Sequence, residues 1–227
     1  MKNHLIISLL FLSVGFSQKV YDINHIVLQN GVYIKKFSDE IVNGKVFQMY
    51  GDMKVPLGKM KDGKKEGKWM VWYNNGTKEE EQNYKDGKKN GLWTWWYENG
   101  KKLSEGTYKD GKNDGLITDW YENGQKKYEE TWKDGERHGL STFWYENGQK
   151  QFEGTYKEGK LDGLWTNWYE HGKKRIEQTN KDGKSISRKE WNYDGSVKED
   201  EHPSDEHPSD EHPSNEHPSD EHPSDNE

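Results

Sequence analysis

A 24-residue repeat is the feature that most constrains the fold of this 227-residue chain. A Trp-Tyr pair recurs five times at this spacing, and two sets of glycines recur with it. The pairs begin at Trp72, Trp96, Trp120, Trp144 and Trp168. Self-similarity at a fixed period is typical of repeat proteins, in which each unit packs mainly against its neighbours.

The glycines of each repeat favour strands over helices. Every unit carries two or three of them, and each glycine costs a helix about 1 kcal/mol relative to alanine. In one repeat, residues 92–97 are strand-forming, Asn99-Gly100 is typical of a turn, and residues 102–108 return the chain. The sequence therefore predicts an all-β fold: an elongated antiparallel meander of β-hairpins with a 24-residue period, followed by a disordered C-terminal tail.

Alternation along the strands predicts two different faces. Leu92 and Trp96 share one face, whereas Trp93 and Trp95 point to the other. A hairpin loop of odd length would place return-strand rings such as Tyr128 on the leucine side, and a two-residue loop would place them opposite. We expect the odd loop, because it collects Leu, Trp and Tyr on one side. The return-strand positions concerned are Tyr84, Tyr108, Tyr128, Trp132, Phe152, Tyr156 and Ile176.

Two sets of aromatic residues have different expected roles. The regular set, which we expect to be structural, is Trp72, Trp96, Trp120, Trp144 and Trp168. The variable set, which is the candidate binding surface, is Trp69, Trp93, Trp95, Phe143 and Trp165. Exposed rings can stack on sugars or anchor a protein partner. The alternative is that the variable rings pack against a rolled sheet, a cap or a second copy of the chain.

The N-terminus resembles a secretory signal peptide over residues 1–17. Lys2 supplies the positive start, residues 5–16 are largely apolar, and Gly15 and Ser17 are small residues suited to cleavage. An uncleaved N-terminal anchor is the alternative. The signal predicts export to the periplasm, the cell surface or the medium. The chain has no cysteine, so we do not expect a lipoprotein.

The remaining chain divides into four segments by composition and period. Residues 18–60 are an irregular segment expected to form an N-terminal β cap, since terminal units of repeat proteins are atypical. Residues 61–184 hold the five repeats, and residues 185–199 are a degenerate C-terminal cap. Residues 200–227 carry a repeated E-H-P-S-D pentapeptide, whose charge and regular proline predict a disordered tail.

The tail histidines are the one feature that suggests metal binding. They recur every five residues beside carboxylates, a combination that suits Zn²⁺, Cu²⁺ or Ni²⁺. The histidines are His202, His207, His212, His217 and His222. The alternative is an expanded pentapeptide without a selected function. No other cofactor is expected.

Charge and chemistry argue against an enzyme or a nucleic-acid-binding protein. The net charge is −7, but residues 201–227 hold ten acids without Lys or Arg, so the remainder is near +3. Such a mildly basic body gives no case for nucleic acid. One glutamate recurs in each repeat, which predicts a solvated row paired with lysines rather than a catalytic site. These glutamates are Glu81, Glu105, Glu129, Glu153 and Glu177.

The repeat motifs resemble those of the MORN family (membrane occupation and recognition nexus). Residues 134–139, D-G-E-R-H-G, are similar to the D-G-x-x-H-G step of the family, and residues 96–100, W-Y-E-N-G, to its bacterial variant, which occurs in exported and antitoxin-like proteins. His138 is the only histidine at that position; Asn90, Asp114 and Asp162 replace it elsewhere. The resemblance implies a meander of β-hairpins and a non-enzymatic role in binding partners or membranes.

We expect an exported scaffold that binds a protein partner through an extended β surface. One alternative is an envelope-associated module that binds polysaccharide or lipid through aromatic rows. The other is an antitoxin or immunity-like protein that blocks a toxin, and the signal peptide favours a periplasmic version of it. The sequence leaves the identity of the partner and the oligomeric state open.

Overall fold

The structure, a computed structural model, describes residues 18–198. The predicted signal peptide, the last residue of the predicted C-terminal cap and the predicted tail, with its five histidines, lie outside the described residues. Almost all of the described chain forms β-strands or the turns between them.

The segment before the repeats adds strands to one end of the sheet. A short 3₁₀ turn at Ile23–His25 links the first two strands. These strands are β1 (Val20–Asp22), β2 (Ile26–Gln29), β3 (Val32–Lys35), β4 (Gly44–Tyr50) and β5 (Met53–Lys61). β2 and β3 form a separate two-stranded sheet, whereas β1 pairs with β4 in parallel.

The repeats form one continuous meander. Their strands are β6 (Lys64–Trp72), β7 (Lys78–Lys85), β8 (Lys88–Lys89), β9 (Gly91–Trp96), β10 (Lys102–Lys109), β11 (Lys112–Trp120), β12 (Lys126–Lys133), β13 (Glu136–Trp144), β14 (Lys150–Lys157), β15 (Lys160–Trp168), β16 (Lys174–Lys181) and β17 (Lys184–Glu190). Together with β1, β4 and β5 they make a 15-stranded sheet, in which chain neighbours from β4 onward pair antiparallel, except that β8 and β9 both pair with β7. The predicted all-β meander of hairpin repeats is confirmed.

Two-residue turns form one edge of the sheet, which we call the Asp-Gly edge. In the turn between β10 and β11, Asp110 and Gly111 have φ angles of 50° and 89°. Two successive positive φ values define the type I′ turn, whose twist matches that of the flanking strands. The preceding Lys109 pairs directly with Lys112. Turns of the same kind begin at Asp62, Asp86, Asp134, Glu158 and Asp182.

Five-residue loops form the opposite edge, the Asn-Gly edge. In the loop at residues 121–125, the Tyr121 amide donates to the Gln125 carbonyl at 2.8 Å, and the Gly124 amide donates to the Tyr121 carbonyl at 2.8 Å. The loop is therefore odd in length, as the sequence analysis preferred. However, Trp120 pairs with Lys126 while the preceding residue pairs with Tyr128, so Lys127 is an extra residue, a β-bulge.

This bulge overturns the expected arrangement of the two faces. Residues paired across neighbouring strands lie on the same face of a sheet. Tyr128 pairs with Phe143, so it lies on the side of Trp93, opposite the leucines. The expectation that return-strand rings share a face with Leu92 was wrong, because the bulge shifts the alternation by one residue. The same shift follows each Asn-Gly loop, so it applies to all the return-strand positions named above.

We call the two sides of the sheet the aromatic face and the leucine face. The outgoing strands contribute to the aromatic face Trp69, Trp93, Trp95, Ile117, Asp119, Ser141, Phe143, Trp165 and Asn167. They contribute to the leucine face Leu92, Leu116, Leu140 and Leu164, the four threonines two residues further on, and the regular tryptophans.

A small aliphatic core closes the N-terminal end of the aromatic face. Val42, Val46 and Met60 are buried there together with Trp69. Gly58 is required for this packing, because a Cβ at that position would lie 2.5 Å from the Trp69 ring. The first repeat is thereby fixed to the segment that precedes it.

A row of tyrosines joins each hairpin to the next along the Asn-Gly edge. The Tyr121 hydroxyl donates to the backbone carbonyl of Trp144 at 2.8 Å. The equivalent donors are Tyr73, Tyr97, Tyr145 and Tyr169, with bonds of 2.7–2.9 Å. Burial, and the nearby Glu146 carboxylate, raise the pKa of the Tyr121 hydroxyl. The row therefore connects the tip of each hairpin to that of the next, over a sequence separation of 22 or 23 residues.

Tyr121→Phe is expected to lower the free energy of unfolding by about 1 kcal/mol, because the Trp144 carbonyl loses a hydrogen bond. The wild type should also lose stability above a pH of about 10, the ordinary tyrosine pKa, since the unfolded chain releases that proton first. The Tyr121→Phe variant should lose less stability over the same rise in pH. Denaturant unfolding at pH 7 and pH 10.5 measures both effects, with the exposed Tyr193→Phe as the control. Equal effects of the two substitutions would contradict this role.

Candidate functional site

Trp93 is the centre of the aromatic face. Its ring is 2% exposed, and its centroid lies 5.1 Å from that of Tyr84, 5.5 Å from that of Trp95 and 5.2 Å from that of Tyr108. The indole Nε1 donates to the Asn83 carbonyl at 2.8 Å. The return strands on both sides thus cover the ring, and its one polar atom has a partner.

A second group of rings continues along the same face. Tyr128 and Phe143 have centroids 5.4 Å apart, Phe143 and Phe152 are 5.3 Å apart, and Phe152 and Trp165 are 5.7 Å apart. These distances fall in the range of favourable aromatic pairs. The rings therefore cover one another across four neighbouring strands.

The candidate binding surface is only partly accessible. Trp69 and Trp93 are buried, which corrects the expectation that they are exposed recognition residues. Trp69 is covered by the N-terminal core, and Trp93 is covered because the bulge after each Asn-Gly loop brings return-strand side chains onto this face. Trp95, Phe143 and Trp165 are half-buried, and their role in binding stays a prediction.

The aromatic face also contains buried acids that the sequence analysis missed. Glu130 is 2% exposed, and its Oε1 lies 3.0 Å from Nε of Arg137. The Arg137 guanidinium lies over the Trp132 and Tyr156 rings, 5.6 and 5.4 Å from their centroids. Asp119, also buried, accepts a hydrogen bond from Ser104. The sequence signal that could have revealed these acids is their position in the repeat. Glu130 stands where two other repeats carry glycine, and Asp119 stands where two others carry an aromatic ring.

The leucine face carries an exposed apolar row near the Asp-Gly edge. Leu92, Leu116, Leu140 and Leu164 are 48–55% exposed. Each pairs directly with a threonine of the return strand, as Leu116 does with Thr131. Two strands per repeat at about 4.8 Å each place successive leucines about 10 Å apart. The row therefore presents equivalent aliphatic contacts at a regular interval.

A row of charges and rings lies on the same face near the Asn-Gly edge. The Lys102 ammonium bonds to Glu105 at 2.6 Å and lies 5.6 Å from the centroid of Trp120 in the next repeat. Lysines in the equivalent place are Lys78, Lys126, Lys150 and Lys174. Four of these lysines therefore cover a half-buried regular tryptophan, Lys174 covers Trp191 of the final unit, and each binds the repeated glutamate of its own repeat. Hydrogen bonds from Lys68 and Lys78 lower the pKa of Glu81.

Paired lysines border the leucine row at the Asp-Gly edge. In five of the six two-residue turns, two lysines pair directly across the strands: Lys61 with Lys64, Lys85 with Lys88, Lys109 with Lys112, Lys157 with Lys160, and Lys181 with Lys184. We call these ten residues the lysine row. The sixth turn has the opposite-charge pair Lys133 and Glu136. Like charges directly opposite each other are destabilising, so the row is not explained by folding alone.

Neither a metal cluster nor a membrane-spanning helix occurs within residues 18–198. No three His, Asp or Glu side chains in this range are grouped so as to hold an ion. None of its helices is long and apolar enough to cross a bilayer. The tail histidines lie outside this range, so their metal binding stays a prediction.

Each repeat adds one hairpin to the same sheet, and the two faces of that sheet carry different side chains. The chain is therefore a β-repeat protein built on one main sheet. Comparison with protein families gives the particular class: the MORN repeat variant model matches residues 65–86, 89–110, 113–134, 137–158 and 161–182. The chain belongs to this family, whose repeats are generally non-catalytic modules that bind proteins or membranes. A search of curated proteins found no match.

Three acids, Glu66, Asp114 and Asp162, stand at the position that the family motif gives to histidine, and two of them bind the following turn. Asp162 accepts a hydrogen bond from the Asp182 amide at 3.3 Å and pairs with Lys181 at 2.9 Å. Glu66 accepts from the Asp86 amide at 2.9 Å. Hydrogen bonds from these neighbours lower the pKa of Asp162. At these two repeats, an acceptor side chain binds the amide of the following two-residue turn.

Proposed function

We propose that this chain is an exported, non-enzymatic scaffold that binds a protein partner through its leucine face. The observation that carries the proposal is the row of four half-exposed leucines at a regular spacing of about 10 Å. Rows of exposed apolar side chains with polar borders are typical of interaction surfaces. Export rests on the signal-like residues 1–17.

The leucine face suits this role better than the aromatic face. On the aromatic face, the largest rings are covered by side chains of the neighbouring strands, so little apolar area remains for a partner. On the leucine face, the aliphatic side chains are accessible, and the Lys–Glu pairs beside them are fixed in place. A partner would bury the leucines and meet an ordered polar border.

The arrangement of the rings favours a protein over a polysaccharide. A sugar-binding platform requires accessible ring faces on which sugars stack. Four of the five regular tryptophans, Trp96, Trp120, Trp144 and Trp168, are overlaid by lysines of the preceding repeat, and the variable rings lie mostly against one another. An immunity-like protein that blocks a toxin would be one kind of protein-binding scaffold with this surface.

The combined variant Leu116→Asp and Leu140→Asp should reduce partner binding at least tenfold, because each substitution places a charge in the apolar row. The mature full-length chain would be immobilised and exposed to envelope extract. The retained material would be identified by mass spectrometry and titrated. We expect one dominant protein that binds the wild type and is lost from the variant.

The matched control is Ile186→Asp with Val197→Asp, which changes two exposed aliphatic residues outside the row. It should bind the partner like the wild type. Equal binding by the leucine variant and the wild type would move the interface away from the leucine face. Retention of wall polymer or lipid without a protein would support the envelope module instead.

A further inference from the structure

The lysine row has positive charge that the rest of the described chain does not neutralise. Within residues 18–198, nine of its ten lysines form no ion pair, and the tenth, Lys181, pairs with Asp162. Each of the five turns has two lysines against one acid, so its net charge is positive. Because these pairs repel, their recurrence in five turns indicates an anionic ligand that relieves the repulsion.

Some successive turns of the row lie in contact with each other. A Cβ at Gly87 would lie 3.4 Å from the Lys64 side chain, and one at Gly135 would lie 3.4 Å from that of Lys112. The stem of an outgoing lysine therefore lies beside the next turn. The row runs along the leucine face with two ammonium groups about every 10 Å. It is interrupted at the turn that holds Glu136.

We propose that the lysine row binds the acidic C-terminal segment of the same chain, residues 201–227. The segment holds ten acids and no Lys or Arg, whereas the remainder of the chain is near +3. The ligand that the row requires is therefore present in the molecule. Attachment to the same chain raises the effective concentration of the segment to the millimolar range, well above that of a free peptide.

The length and the starting point of the segment fit this placement. The described chain ends at Lys198, whose amide donates to the Glu190 carbonyl at the end of β17, on the side of the Asn-Gly edge. β17 runs from there to Lys184 at the Asp-Gly edge, a distance of about 20 Å for seven residues. A chain of 27 residues reaches up to about 90 Å, which covers that distance and most of the row.

The lysine row and the leucine row are neighbouring but separate surfaces. The docking itself does not depend on the leucine row, so the two proposals are tested separately. Because the lysines are exposed, salt should weaken the docking.

Carbodiimide cross-linking of the full chain, followed by mass spectrometry, tests the proposal. The reagent joins a carboxylate to an amine only when the two are in contact. We expect links from residues 201–227 to Lys85, Lys88, Lys109 and Lys112, at least about fivefold more often than to Lys102 and Lys126, and their loss in high salt. Lys102 and Lys126 are matched controls, because they lie on the same face but are paired with glutamates.

A variant and a labelled mixture complete the test. Lys85→Gln, Lys109→Gln and Lys157→Gln together should reduce the links at the other members of the row at least threefold, with circular dichroism to verify folding. Equal linking to all lysines would overturn the proposal. Links that join labelled to unlabelled chains would also overturn it, since they would place the segment on another molecule.

Discussion

Trp93→Ala is expected to lower the free energy of unfolding by about 3–5 kcal/mol, the usual cost of removing a large buried ring. The ring contacts Tyr84, Trp95 and Tyr108 and donates a hydrogen bond to the backbone. Its removal would leave a cavity between two return strands, and the Asn83 carbonyl would keep only the hydrogen bond from the Asn90 amide. Denaturant unfolding followed by circular dichroism measures the loss.

Trp96→Ala is the matched control for this prediction. Trp96 is half-buried and is covered mainly by the flexible side chain of Lys78, so its removal should cost clearly less. The order of the two variants is the decisive result. A larger loss for Trp96→Ala would mean that the leucine face, rather than the aromatic face, holds the sheet together.

Arg137→Met is expected to destabilise the chain by about 3–5 kcal/mol, because it removes the cation that faces the buried Glu130 carboxylate. The loss exceeds that expected from a surface ion pair, since Glu130 is shielded from water. The arginine also covers the Trp132 and Tyr156 rings, and methionine retains part of that apolar contact. The measurement is again the free energy of unfolding.

The double variant Glu130→Leu with Arg137→Met separates the charge from the packing. It leaves no buried charge, so it should recover most of the stability lost in Arg137→Met. The coupling between the two positions would then be at least about 1 kcal/mol in a double-mutant cycle. Additive losses would show that the two side chains do not interact in the folded protein.

Much of the fold could be predicted from the sequence because the repeat period and the turn residues act locally. The two-residue turn requires positive φ angles at both of its positions. Asp110, Gly111 and their equivalents adopt these angles in every turn of the Asp-Gly edge. The odd number of residues in the Asn-Gly loop was also predictable, but not its length of five. The face of the sheet on which the return-strand side chains lie was not predictable. One bulged residue such as Lys127 reverses the alternation of side chains between the two faces, and it has no sequence signature of its own.

The candidate site was less predictable for the same reason. Trp93 was expected on an exposed surface, but the reversed return strand places Tyr108 against it. The Glu130–Arg137 pair joins β12 to β13, and the Trp132 and Tyr156 rings that lie against Arg137 come from β12 and β14. The lysine row could be read as K-D-G-K in the sequence. That the two lysines of each turn lie directly opposite each other became evident only from the pairing register of the strands.

The tyrosine row has a consequence for how this chain can change in length. All five tyrosines of the row donate in the same direction, to the tryptophan carbonyl of the following hairpin, and the shortened final unit provides Trp191 as the last acceptor. Tyr50 donates to Trp72 in the same way at the first junction. A duplicated or deleted 24-residue unit would therefore restore an identical junction on both sides. Gain or loss of whole repeats would therefore change the length of the sheet in steps of about 10 Å without disturbing the remaining junctions.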